Sequence, residues 1–127
     1  MELEDRCNAI EESYEFMLAY AAQGLASDQD SQIRGFLSRQ VEALSGLAET
    51  YRAAVCQEGL QPADRYEAFL AVLDRDARDS IAAIELVLAQ PAISSQLIDN
   101  LNASIHLRAL LTDLFLIDEI LKRLQRE

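Results

Sequence analysis

Apolar positions along the chain fall into four periodic segments separated by three points of punctuation. In the first, Leu3, Cys7, Ile10, Tyr14, Met17 and Ala21 recur at alternating four- and three-residue steps, the seam of a helix packed on one side. The pattern stops near Gly24, and "ASDQDS" follows with Ser27, Asp28 and Asp30 as candidate N-caps. A second seam runs through Leu37, Val41, Leu44, Ala48, Tyr51 and Val55. Gly59 sits where a helix-ending glycine belongs, and Pro62 suits the first turn of the next helix.

The third segment continues through Tyr66, Leu70, Leu73, Ala77, Ile84 and Val87, interrupted by Ser80. Its middle, "LDRDARDS", is polar, which leaves a kink or a split near residues 74–79 open. Pro91 ends it, and Ser94 or Ser95 can cap the last helix. There Leu107, Leu110, Leu114, Ile117, Leu121 and Leu124 form the inward line. Leu97, Ile98, Leu101 and Ile105 lie on a different face, so the stripe shifts around Asn102–Ser104. No alternation of strand period competes with this pattern, and no Asn-Gly or Asp-Gly turn is present. The expected fold is all-α: an antiparallel, up-down-up-down four-helix bundle in which residues 1–127 form a single domain.

Composition narrows the partners. The formal net charge of −11 works against nucleic acid, whose phosphates require a basic face, and against anionic membrane surfaces. No stretch approaches the ~20 apolar residues of a membrane span, and "MELED" has the wrong charge for a secretory leader. The expected setting is cytoplasmic, where Cys7 and Cys56 default to free thiols. Charge is also uneven. Residues 1–31 carry a balance of −7, with Arg6 their only cation, while the chain closes on the basic "KRLQRE". Glu11, Glu12 and Glu15 on the first helix form a candidate acidic docking face for a basic partner.

Catalytic chemistry finds no motif. Ferritin-like di-metal sites use Glu-x-x-His pairs, but the one histidine, His106, is preceded three residues earlier by Ala103. Two cysteines and one histidine, far apart in sequence, give no zinc spacing. There is no phosphate-binding glycine loop, dinucleotide fingerprint or nucleophile elbow. The expectation is therefore a non-enzyme without metal or cofactor. Two other readings stay open: a helical bundle with a non-standard metal or redox site, and a small-molecule-binding bundle using Tyr14, Tyr51, Tyr66 and His106 as polar points.

The last helix has more apolar surface than one seam requires. With Leu110, Leu114, Ile117 and Leu121 inward in "LLTDLFLIDEIL", Leu111 flanks the seam, while Phe115, Leu116 and Ile120 are surplus. The first helix repeats this on a smaller scale with Phe16 and Tyr20, four apart and off its seam. Either an irregular bundle covers these residues, or they form an interface with a protein partner or a second copy of the chain. The leading expectation is an accessory, chaperone-like or regulatory interaction module acting through the apolar face of the last helix, as a homodimer or a hetero-complex.

Overall fold

The computed structural model describes residues 1–126, with side chains through Leu124, so the basic C-terminal run lies partly outside the described residues. The described chain is entirely helical apart from turns and loops: α1 (Leu3–Ala21), α2 (Ile33–Leu44), α3 (Leu47–Glu58), α4 (Ala63–Leu88), α5 (Ser95–Ala103) and α6 (Ile105–Arg126). Six helices replace the expected four because the second and fourth apolar segments are each divided. Buried residues from all six join one apolar core. In it α1 packs on α2 and α5, while α4 packs on α2, α3 and α6.

The second segment divides at Ser45–Gly46. Gly46 takes φ +80°, a left-handed conformation that costs L-residues about 1–2 kcal/mol. The end of α2 is closed from a distance: the Arg6 guanidinium donates to the carbonyls of Glu42, Ala43 and Ser45, at 3.3, 3.0 and 2.5 Å. A cation thus takes up carbonyls that a helix end leaves unpaired. The fourth segment divides at Ser104, whose hydroxyl accepts from the Leu107 amide and so opens α6. This break falls where the stripe shifts in the sequence.

α4 is one uninterrupted helix, which corrects the kink or split allowed near 74–79. The polar run there keeps helical period: Leu73, Ala77 and Ser80 are buried, and the charged residues between them face outward or sit at the flank. Ser80 is accommodated because its hydroxyl donates to the His106 carbonyl across the α4/α6 packing. Gly59 ends α3 in the left-handed conformation and Ser94 caps α5, both as the sequence implies. Asp28 does not cap α2. Its carboxylate accepts instead from Arg34 and from the Ile93 amide, while Arg34 also holds the carbonyls of Leu88 and Gln90. The cap position is Gln32, beside a Ser31 hydroxyl that accepts from the Ile33 amide.

α1 has neighbours on two sides, so its buried face is broader than its seam. Ile10 and Met17 are buried as expected, and Ala9, Ser13 and Tyr20 join them. Tyr20 is 1% exposed, which corrects its place on a free surface. Its hydroxyl donates to the Ile93 carbonyl at 2.5 Å, and its own carbonyl accepts from Ser95 Oγ. The 91–95 connection folds over the end of α1 and covers it.

Candidate functional site: the groove between α4 and α6

α6 buries Leu107, Leu110, Leu114 and Ile117 against the core, half-buries Leu121, and leaves Leu124 exposed. On the other side Phe115 is 70% exposed, Leu116 52% and Ile120 38%. Among the described residues, no connection covers them. Singly exposed apolar residues are common, but a contiguous patch marks a contact surface.

Packing of α4 against α6 gives this patch a shape. A groove of about 310 Å³ has buried Ile117 beneath it, with Leu116 and Ile120 on the α6 side and Tyr66 and Phe69 on the α4 side; Pro62 and Arg65 lie towards the start of α4. Two of the three expected α6 residues, Leu116 and Ile120, thus line one site, and Phe115 lies beyond it on the same helix. The α4 half was missed in the sequence. The apolar spacing puts Tyr66 in the core seam and gives Phe69 no particular place, whereas both are half-buried at the surface. Their three-residue spacing at the start of α4 was the available signal, though only the α4/α6 pairing gives it meaning.

The other expected residues lie elsewhere. Phe16 is half-buried and stacks on Phe36 of α2, with centroids 4.2 Å apart and planes at 17°. Glu11, Glu12 and Glu15 are exposed on α1, and none lines the groove. Glu12 is held by Arg39 at 2.6 Å. Of the four polar points considered for a small molecule, the groove takes only Tyr66; His106 is exposed and Tyr51 is buried in the core.

Two titratable clusters lie inside the molecule. Tyr51 of α3 donates to Asp118 Oδ1 of α6 at 2.6 Å and sits 3.4 Å from Cys7 Sγ of α1. Burial, reinforced by the bonds to Asp118 and Cys7, holds the Tyr51 hydroxyl far above its ordinary ionisation range. Burial also pushes the Cys7 thiol up, partly offset by the Tyr51 bond. Both shifts disfavour the anions that nucleophilic chemistry requires. The second cluster joins Asp113 of α6 to Asp76 of α4. Burial, then the neighbouring Asp76 carboxyl, pushes Asp113 up to about 7. Among the described residues, no group of three His, Cys, Asp or Glu converges as a metal site, and no helix is long and apolar enough to cross a membrane. Compared with known proteins, the chain matches no family model, no curated protein and no solved structure.

Proposed function

We propose that this protein is a non-enzymatic interaction module whose working surface is the apolar face of α6 together with the α4 side of the groove. The observation that carries the reading is that exposed Leu116 and Ile120 of α6 share one groove with Tyr66 and Phe69 of α4, while the exposed Phe115 stands beside Leu116 in the chain. Burying one such side chain is worth about 1.5–3 kcal/mol, so a few anchors on this face suffice for specific binding. The free acids Glu11 and Glu15 on α1 line no part of this groove, and their field attracts basic segments of a partner outside it. An accessory or regulatory role in a reducing compartment accords with two cysteines that are both unpaired.

Phe115→Glu combined with Leu116→Glu tests this. Both positions are exposed, so the fold survives the change. The expected result is loss of partner capture, or a fall in mass by light scattering towards the 14.2 kDa of one chain. Unchanged mass together with unchanged capture removes the proposal.

A further inference from the structure

The groove differs in charge from the rest of the molecule. Arg6 is spent on the end of α2, Arg34 on Asp28 and the end of α4, Arg39 on Glu12, Arg52 on Glu49 and Glu67, and Arg78 on Asp74. Among the described residues, the exposed cations outside these pairings are Arg65, Arg75, Arg108, Lys122 and Arg123. Four of these five lie on α6 or at the groove-lining start of α4.

The acids of α6 are distributed in the opposite sense. Asp118 is turned in to accept from Tyr51, and Asp113 is half-buried against Asp76 with Oδ2 shielded from solvent. Glu119 alone among the described acids of α6 is exposed. On α4, Asp64 and Glu67 line the separate cleft towards α3, and Glu67 is paired with Arg52 there. Arg65 lines the groove and Arg123 follows the groove-lining Ile120 by three residues on α6, so a chain of net charge −11 sets free positive charge beside its apolar groove.

Resting on the interaction-module reading, we propose that the occupant of the groove is an amphipathic helix of a partner protein with acidic flanks. Its apolar ridge seats on Ile117 between Tyr66, Phe69, Leu116 and Ile120, and its carboxylates reach Arg65 and Arg123. A volume of about 310 Å³ takes the anchoring side chains of a helix, not its backbone, which is how a helix-in-groove contact is made. A second copy of this chain using the same face would set the cations beside its groove, Arg65 and Arg123, against the same pair on the other copy, and like charges across an interface oppose association.

The test uses two hydrocarbon-stapled helical peptides with the same leucine ladder, one flanked by glutamates and the other by lysines, titrated into the methyl-labelled full chain by NMR. The proposal expects the glutamate peptide to shift the methyls of Leu116, Ile117 and Ile120. It should bind at least tenfold tighter than the lysine peptide in 50 mM salt, with the preference collapsing in 500 mM salt as the rim is screened. Arg65→Glu with Arg123→Glu should reverse the preference. Equal binding of both peptides in the groove overturns the acidic partner but leaves the interaction module standing. Failure of both peptides, with a mass that falls in the Phe115→Glu, Leu116→Glu variant, also overturns the acidic partner and identifies a second copy as occupant. Failure of both, with mass and capture unaffected by that variant, overturns both readings.

Discussion

Tyr51 and Asp118 meet at 2.6 Å between α3 and α6, with Tyr51 fully buried and Asp118 half-buried. Tyr51→Phe keeps the ring and removes the donor, leaving a partly desolvated carboxylate without its bond. The expected cost is about 1–3 kcal/mol, or a fall in melting temperature of about 4 °C for each kcal/mol. Asp118→Asn should cost less, because the amide oxygen still accepts. Thermal unfolding followed by circular dichroism measures both.

Asp113 beside Asp76 makes stability depend on pH near neutrality. Asp113 is held at about 7 in the fold against 3.8 for the unreacted side chain, so the folded state binds more protons between these values. Its contribution is fully present below 3.8 and is lost as pH rises through about 7. Asp76→Asn removes the opposing charge. It should raise the melting temperature by about 2–4 °C at pH 8 and change it little at pH 4. An equal gain at both pH values would show that packing, not charge, is responsible.

At the acid end the sign is opposite. Asp28 is held below the usual carboxylate range, chiefly by its bond from Arg34, and Glu67 by its bond from Arg52. Their contributions are present above the ordinary carboxylate range and are lost as pH falls through the lowered values. Arg34→Met should flatten the melting profile below about pH 4, as seen by comparing wild-type and variant curves from pH 2 to pH 5.

Arg6 closes α2 through backbone carbonyls and not through a carboxylate partner. Arg6→Ala should destabilise the protein by about 1–2 kcal/mol. Amide exchange should accelerate in the last turn of α2 and in α3 before it does in α6. Arg6→Lys, which lacks the forked geometry, should recover only part of the loss.

Most helix positions were legible because burial imposes the 3.6-residue period even where composition is polar: Leu73, Ala77, Ser80 and Ile84 hold their line straight through "LDRDARDS". The break at Ser45–Gly46 was not, since Leu44, Ala48 and Tyr51 keep helical spacing across it, and the residue that closes α2 is Arg6, far away in sequence. Tyr20 was misplaced for a similar reason: its cover, Ile93, comes from a loop whose path no local pattern encodes. Half of the candidate site could be read, because Leu116 and Ile120 exceed what one seam can bury. The other half, Tyr66 and Phe69, becomes a wall only once α4 and α6 lie side by side.

The central claim, that the α6 face is a protein-binding surface, is tested most directly by a photo-crosslinking amino acid placed at Phe115, with Leu86 of α4 as control. Both positions are highly exposed, but only Phe115 is on α6, next in the chain to the groove-lining Leu116. In the cells that make the protein, the account predicts a discrete adduct from position 115, lost when Leu116→Glu is added, and none from position 86. No adduct at 115, or equal adducts at 115 and 86, would contradict it.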